Sequence, residues 1–345
     1  MLPCTLSDMS QSQKTFQLAP DLQICRILNG MWQVSGGHGK IDPESAIQEM
    51  FLYHTSGFTT WDMADIYGPA EEYIGEFQRR LSKHKGQTEL AKVQALTKFV
   101  PNPGPMTRSI IEYHIDKSIQ KMNVKTIDLL QFHWWDYNDT RYIDALYHLS
   151  KIRDEGKIRH LGLTNFDTER IQIMVEQGFK LVSNQVQYSI IDQRPQIKMI
   201  PFCQKNNIKI LSYGTLLGGF LSEKYLAKPE PTRSQLDTFS LQKYKNMIDT
   251  WGGWDLFQEL LVVLGRIANK HRASIANVAT RFILDKPAVA GVIIGARLGV
   301  SEHKLDNARV FALNLDGEDN EKISSVVSRS QDLFEKIGDC GDEYR

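Results

Sequence analysis

Short apolar runs and longer amphipathic stretches alternate along the chain from about residue 24 to residue 311. The short runs have the length of buried strands, and stretches such as 107–122 place apolar residues every three or four positions, as helices do. Asp42 and Asp167 stand before two such stretches, where an aspartate side chain can cap a helix. The pattern predicts eight strands, at 24–28, 58–62, 90–98, 127–132, 158–163, 181–186, 208–212 and 289–294.

Eight strand–helix units without a break in composition predict an α/β fold, a single (β/α)8 barrel of the TIM type. A doubly wound open sheet is the alternative. It would carry a Gly-x-Gly-x-x-Gly fingerprint between the first strand and the first helix. Residues 35–39 (Ser-Gly-Gly-His-Gly) lie there without that spacing, and we interpret them as a loop tip.

Three segments fall outside the regular alternation. Residues 1–17 are polar and are predicted to be a mobile extension, so that the barrel domain covers residues 18–345. Residues 222–255, after the seventh strand, are polar and contain prolines. We predict a long loop there that faces the substrate, since long loops in compact domains are often functional. Residues 318–334 are predicted to form one additional C-terminal helix.

Composition limits the possible partners. The 41 basic and 41 acidic residues cancel, which argues against nucleic acid or an anionic membrane. No apolar run approaches the ~18 residues of a membrane span, and the N-terminus lacks the apolar core of a secretory signal. The four cysteines are too widely spaced to indicate zinc or a disulfide framework. A cytoplasmic protein, monomeric or weakly oligomeric, is expected.

Polar residues recur at the ends of three consecutive predicted strands. Asp62, Lys98 and His133 lie at or just past these ends, and Tyr67 follows Asp62 by five residues. In parallel α/β proteins this end of the strands carries the chemistry. A tyrosine hydroxyl, with an ordinary pKa of about 10, can protonate a developing alkoxide when a nearby positive charge lowers that pKa.

These residue types suggest a division of roles. Lys98 would supply the positive charge, Asp62 would hold Lys98 in place, and a neutral His133 would donate a hydrogen bond to a substrate carbonyl. An Asp–Lys pair can also be purely structural, and a histidine beside two tryptophans can be a packed aromatic ring. All four residues at one end of the barrel favour the chemical interpretation.

Several ordered motifs closely resemble those of the aldo-keto reductase superfamily over residues 20–315. They are Gly30-Met31-Trp32, the segment from Asp62 to Tyr67-Gly68, Lys98, Phe132-His133-Trp134, and residues 162–166, 184–189 and 294–297. The resemblance implies an NADPH-dependent carbonyl reductase built on a barrel. It implies that Tyr67 is the proton donor, that Lys98 and Asp62 support it, and that His133 orients the carbonyl.

The resemblance also implies cofactor-binding positions: Thr164, Asn165, Gln185, Tyr213, Gly214, Leu216, Gly218, Gly295, Arg297, His303 and Asn307. The first three would bind the nicotinamide carboxamide, Tyr213 would stack on the nicotinamide, and residues 214–218 would wrap the pyrophosphate. Arg297 would grip a 2′-phosphate, with Asn307 at the adenine. His303 stands where many members have arginine or glutamine, so NADH is possible beside NADPH.

Large rings are predicted around the mouth of the barrel, namely Trp32, Trp134, Trp135 and Trp251. Such rings suit an apolar or aromatic carbonyl substrate, although core packing is expected for one of Trp134 and Trp135. Two other functions stay open. One is a cofactor-binding regulatory subunit similar to potassium-channel β subunits. The other is a (β/α)8 hydrolase or isomerase, which would need metal ligands or paired carboxylates that the motifs do not supply.

Overall fold

The computed structural model describes residues 11–36 and 41–340. Eight parallel strands form a closed barrel in which each strand pairs with the next and the last pairs with the first. The predicted TIM barrel is thereby confirmed. Its strands are β3 (Ile27–Gly30), β4 (Thr60–Asp62), β5 (Gln94–Phe99), β6 (Ile127–His133), β7 (Ile158–Thr164), β8 (Ser183–Gln187), β9 (Lys209–Tyr213) and β10 (Val289–Gly295).

Helices alternate with these strands and surround the barrel. They are α1 (Gln11–Lys14), α2 (Pro43–Thr55), α3 (Ala70–Lys85), α4 (Gln87–Leu90), α5 (Arg108–Met122), α6 (Tyr142–Asp154), α7 (Thr168–Glu176), α8 (Met199–Lys205), α9 (Phe239–Trp251), α10 (Gly253–His271), α11 (Ile275–Leu284), α12 (Lys304–Arg309), α13 (Gly317–Val327) and α14 (Leu333–Ile337). The side chains of Asp42 and Asp167 accept hydrogen bonds at the starts of α2 and α7, as their positions in the sequence predict. Among the described residues, none of these helices combines the length and apolar character that crossing a membrane requires.

A hairpin closes the N-terminal end of the barrel. Its strands are β1 (Thr15–Ala19) and β2 (Leu22–Cys25), which pair antiparallel. Apolar side chains of the hairpin form one buried cluster with inward-facing side chains of the barrel strands: Leu18, Leu22, Ile24, Leu28, Leu96, Leu129, Leu211 and Ala290. This end is therefore a packed core, which leaves the opposite end of the strands for chemistry.

The start of the fold differs from the prediction. The run 24–28 is divided between β2 of the hairpin and β3 of the barrel. Residues 15–17, placed in the mobile extension by sequence, belong to β1. Only one face of this hairpin is buried, so β1 carries polar side chains on its other face and its sequence does not resemble a buried strand. Its partner strand follows after a short turn. Residues 1–10 and 37–40, including most of the predicted loop tip, lie outside the described part of the chain.

The segment 222–255 is not one long loop. Its second half forms α9 and the start of α10. The Thr238 side chain caps α9 by accepting a hydrogen bond from the backbone N–H of Leu241. Tyr244, Ile248 and Trp251 lie on its buried face. The prediction failed because polar residues on the other face of α9 dominate the composition and outweigh this apolar stripe.

Two further boundaries differ. The run 90–98 contains the end of α4, and its strand begins only at Gln94. The single helix predicted at 318–334 is two helices, α13 and α14. Asp332 separates them, since its side chain accepts hydrogen bonds from the backbone N–H groups of Phe334 and Glu335 and starts a new helix.

Candidate active site

The four residues predicted to act together lie at the C-terminal end of neighbouring strands. Asp62 ends β4, His133 ends β6, and Lys98 is the penultimate residue of β5. All three side chains are buried, at most 3% exposed. Tyr67 lies in the turn between β4 and α3, and the glycine after it adopts φ +54°, a left-handed conformation that glycine tolerates. The turn folds the tyrosine back over Lys98.

Lys98 is held by Asp62 and faces Tyr67. Its Nζ donates to Asp62 Oδ2 at 2.6 Å and to the backbone oxygen of Met63 at 2.8 Å. The same nitrogen lies 4.8 Å from the centre of the Tyr67 ring. Burial would lower the Lys98 pKa, but the charge of Asp62 and the hydrogen bonds of Lys98 with Asp62 and Tyr67 raise it. Lys98 is therefore a fixed positive charge.

The pKa of Tyr67 is shifted in the direction opposite to the one predicted from the sequence. Burial raises this pKa above its ordinary value, and the positive charge of Lys98 opposes the rise only in part. Asp62, whose negative charge also raises the Tyr67 pKa, pairs directly with Lys98. The predicted downward shift was therefore wrong, because burial outweighs the effect of the lysine charge and Asp62 adds to the rise. In this environment Tyr67 is held in its protonated, proton-donating form.

Two buried glutamines complete the surroundings of Asp62. Gln131 and Gln185 each donate through Nε2 to Asp62 Oδ1 at 2.8 Å. Gln185 Nε2 also donates to Gln131 Oε1 at 2.7 Å. Gln131 was not singled out by sequence, although a signal exists. It is a polar residue within an apolar strand, two positions before His133 and therefore on the same side of β6.

His133 is oriented by the neighbouring strand. Its Nδ1 lies 3.2 Å from the backbone oxygen of Thr164. Since a carbonyl oxygen can only accept, Nδ1 carries the hydrogen in this contact. A neutral ring then presents Nε2 as an acceptor, and only the imidazolium presents a second donor. Donation to a substrate carbonyl through Nε2 would need either the other neutral tautomer, which gives up the Thr164 contact, or the protonated ring.

The predicted aromatic residues divide into two at the mouth and two in the core. Trp32, 39% exposed, meets the Tyr67 ring edge-on at 5.0 Å. Trp135 meets the His133 ring at 4.5 Å, and its Nε1 donates to the backbone oxygen of Pro101. Trp134 and Trp251 are only 2% and 1% exposed. The structure therefore places Trp134 and Trp251 in the core, because their rings fill space between the sheet and the helices.

The predicted nicotinamide-binding positions fit a polar ligand. Thr164 Oγ1 is buried without a hydrogen-bond partner among the described residues. A ligand amide could satisfy this hydroxyl. Asn165 follows it at φ +59° and accepts a 2.8 Å hydrogen bond from the Tyr213 hydroxyl at its Oδ1. The C-terminal segment also reaches this loop, since Cys340 Sγ lies 3.1 Å from the backbone oxygen of Asn165.

The predicted pyrophosphate loop lies beneath α9. Gly214 and Gly218 both adopt positive φ, +68° and +65°. A Cβ atom added to Gly214 would lie 2.5 Å from the Tyr244 hydroxyl, and one added to Gly218 would lie 3.0 Å from the Tyr244 ring. Leu216 is half-buried between them. The helix within 222–255 thus packs on the predicted cofactor loop, whereas the sequence placed this segment against the substrate.

The predicted adenosine end offers a mixed set of charges. Gly295, Arg297 and His303 are exposed, and Asn307 is buried. Between them, the buried Lys304 ion-pairs with Glu49 Oε1 at 2.5 Å and with Glu302 Oε1 at 3.2 Å. These two carboxylates neutralise the positive charge of Lys304. A grip on a 2′-phosphate would therefore depend on Arg297 and His303.

Metal ligands were not expected from the sequence. Over residues 11–36 and 41–340, no group of three or more histidine, cysteine, aspartate or glutamate side chains is arranged to hold a metal ion.

Comparison with protein families gives a match over most of the chain. The model described as the Aldo/keto reductase family matches residues 26–328. A flagellar radial spoke protein 5 of Chlamydomonas reinhardtii is 28% identical over 262 residues, which cover 64% of this chain but only 49% of that protein. The chain thus spans about half the length of that relative.

Two bacterial relatives match nearly end to end. The aldo-keto reductase YhdN of Bacillus subtilis is 24% identical over 90% of this chain and 92% of its own length. The NADH-specific methylglyoxal reductase of Escherichia coli is 23% identical over 87% of this chain and 93% of its own length. Similarity to these enzymes therefore extends across the whole barrel.

Solved structures share the fold. A glycerol dehydrogenase from Gluconobacter oxydans superimposes with a TM-score of 0.77 at 22% identity, covering 92% of this chain and 96% of that one. An aldo/keto reductase from Klebsiella pneumoniae, in complex with NADP and acetate, superimposes with a TM-score of 0.68 at 19% identity, covering 92% and 97%.

Proposed function

Because the chain belongs to the aldo/keto reductase family, we propose that it is an NADP(H)-dependent oxidoreductase that reduces an aldehyde or ketone to the alcohol. Tyr67 is its proton donor. The observation that supports this most directly is the buried ion pair between Lys98 and Asp62, with Lys98 Nζ facing the Tyr67 ring at 4.8 Å. A tyrosine held protonated beside a fixed cation suits proton transfer to an alkoxide.

The cofactor, when bound, supplies the hydride to the carbonyl carbon. Tyr67 gives its hydroxyl proton to the carbonyl oxygen. Lys98 stabilises the phenolate that Tyr67 becomes, and Asp62 keeps Lys98 charged and in place. His133, whose Nδ1 lies 3.2 Å from the backbone oxygen of Thr164, would orient the carbonyl oxygen.

Residues of three consecutive strands, β7, β8 and β9, would hold the nicotinamide end of the cofactor. Thr164 would donate or accept through its buried hydroxyl, and Gln185 would accept from the carboxamide, since both of its N–H groups point to Asp62 and Gln131. Tyr213 would lie against the nicotinamide ring. We propose NADPH as the physiological form, through Arg297. The NADH-specific relative and the paired state of Lys304 support testing NADH beside it.

The test is Tyr67→Phe, with Tyr113→Phe on the exposed face of α5 as the matched control. Tyr67→Phe should lose nearly all carbonyl reduction, by a factor of about 10² or more, while its NADPH affinity in a fluorescence titration stays close to wild type. Tyr113→Phe should change neither. Turnover by Tyr67→Phe at the control rate would overturn the assignment.

A second candidate is a cofactor-binding subunit of a larger assembly. The observation in its favour is the similarity to a flagellar radial spoke protein. A panel of aldehydes and ketones with NADPH and NADH separates the two functions. Tight cofactor binding without turnover of any carbonyl would favour the subunit, and turnover abolished by Tyr67→Phe favours the enzyme.

A further inference from the structure

A buried cluster of amides surrounds the carboxylate that holds Lys98. Asp62 Oδ1 accepts from Gln131 and Gln185, and Oδ2 accepts from Lys98. All of these side chains are at most 3% exposed. The donors and acceptors at this carboxylate are therefore set by the protein and not by water.

The orientation of both amides follows from what each atom can do. An ionised carboxylate can only accept hydrogen bonds. Gln131 and Gln185 must therefore both turn Nε2 toward Asp62. With Nε2 committed, Gln131 turns Oε1 toward Gln185 and accepts its second N–H at 2.7 Å. Turning either amide over would bring an oxygen against the carboxylate.

One consequence concerns the chemistry that Gln185 offers to a ligand. An amide has two N–H donors and one oxygen acceptor. Asp62 and Gln131 use both donors of Gln185. Only the Gln185 oxygen is left to meet a cofactor, so this residue accepts an amide N–H and disfavours a carboxylate at the same place.

A second consequence concerns Lys98 and Tyr67. Hydrogen bonds to an ionised carboxylate stabilise its negative charge and make it less basic. Without the donor from Gln131, less of the negative charge of Asp62 would be compensated by hydrogen bonds, and this charge raises the Tyr67 pKa. The pKa of Tyr67 would rise further.

We propose that Gln131 is a positioning residue with two effects. It fixes the Gln185 oxygen as the acceptor for the carboxamide of the cofactor. It also keeps the Asp62 carboxylate hydrogen-bonded, so that Lys98 can support Tyr67. This inference rests on the proposed function. It adds a residue that links recognition of the cofactor to proton transfer.

The experiment compares Gln131→Leu with Gln94→Leu. Gln94 is at the opposite end of β5, where its side chain accepts hydrogen bonds from Thr59 and Thr60. Both substitutions remove an amide from the barrel, and only the first removes a donor to Asp62. The first measurement is the dissociation constant of NADP⁺ and of its nicotinic acid analogue, which carries a carboxylate in place of the carboxamide, by calorimetry.

Wild type and Gln94→Leu should prefer NADP⁺ over the nicotinic acid analogue by about tenfold or more, and Gln131→Leu should lose at least about threefold of that preference. The second measurement is the rate of alcohol oxidation at pH 9 divided by the rate of carbonyl reduction at pH 7. Oxidation needs ionised Tyr67, so a raised Tyr67 pKa should lower this ratio by about threefold in Gln131→Leu. A loss of stability alone would reduce both rates together.

Gln131→Glu serves where the leucine variant does not fold. Its new carboxyl can donate to Asp62 only when protonated, so the activity of this variant should recover toward wild type as pH falls from 8 to 6. Equal ratios and equal ligand preference in Gln131→Leu and Gln94→Leu, or no recovery in Gln131→Glu, would overturn the role of Gln131. Failure of wild type to bind NADP⁺ or to turn over any carbonyl would instead overturn the proposed function.

Discussion

Asp65 is expected to make the stability of the folded protein depend on pH. It lies in the turn that carries Tyr67, half-buried, and its carboxyl oxygens accept from the backbone N–H of Val100 at 3.2 and 3.3 Å. Burial raises the pKa of this carboxyl from 3.8 to about 7, against the lowering effect of that hydrogen bond and with a further rise from Glu71. Ionisation of Asp65 therefore destabilises the folded protein.

The sign of the effect follows from proton linkage. The folded state binds the proton of Asp65 more tightly than the unfolded chain, so stability falls as pH rises from about 4 to about 7 and then levels off. The difference between 3.8 and about 7 sets a ceiling of roughly 4 kcal/mol. Partial contact with water reduces this, and we expect about 1–2 kcal/mol.

The perturbation is Asp65→Asn, which keeps an oxygen for the Val100 N–H and removes the charge. Urea unfolding at pH 4, 5, 6, 7 and 8 should show this variant gaining on wild type by about 1–2 kcal/mol in free energy of unfolding, with the gain made between about pH 4 and about pH 7. The control is Asp237→Asn, at an exposed position before α9, which should show no such trend. A constant or shrinking difference for Asp65→Asn would refute the reasoning.

Two further predictions concern the mouth of the barrel and the cofactor loop. Trp135→Leu should raise the KM for aromatic carbonyls with little change in the urea midpoint. Trp134→Leu, in the core, should lower the free energy of unfolding by about 3 kcal/mol. Equal effects of the two substitutions on KM would contradict the assignment of Trp135 to the mouth. Gly214→Ala should weaken NADPH binding about tenfold in a fluorescence titration, because its Cβ would meet the Tyr244 hydroxyl. Gly219→Ala, also at positive φ but with open space around its Cβ, should weaken it less.

The barrel could be predicted because short strand-like runs alternate regularly with amphipathic helices, and some of these helices have a start signal in the sequence. Asp42 and Asp167 marked helix starts that the structure keeps. The predictions failed where burial is one-sided. The β1–β2 hairpin and α9 each bury a single face, so that their composition resembles that of a loop until the partner surface is known.

The sequence predicted the location of the site better than it predicted the chemistry of the site. Strand ends indicated where Asp62, Lys98 and His133 lie, because register in a parallel sheet fixes their height. The direction of the Tyr67 pKa could not be predicted, because it depends on the balance between burial and the already paired charge of Lys98. Gln131 was missed because its position two residues before His133 shows only that it lies on the same side of β6, whereas its contacts with Asp62 and Gln185 join residues distant in the sequence.

The hairpin at the N-terminal end also has a consequence for the movement of small molecules. Over the described residues, that end is filled by apolar side chains, so a ligand of the proposed site would approach from the opposite end, where Trp32 and Trp135 lie beside Tyr67 and His133. In the proposed reaction, a carbonyl compound entering and an alcohol leaving would share this route with the nicotinamide ring. Substrate entry or product release at this end can then limit turnover even when proton transfer is fast. Substitutions in the hairpin at the N-terminal end would leave the rates of entry and release unchanged.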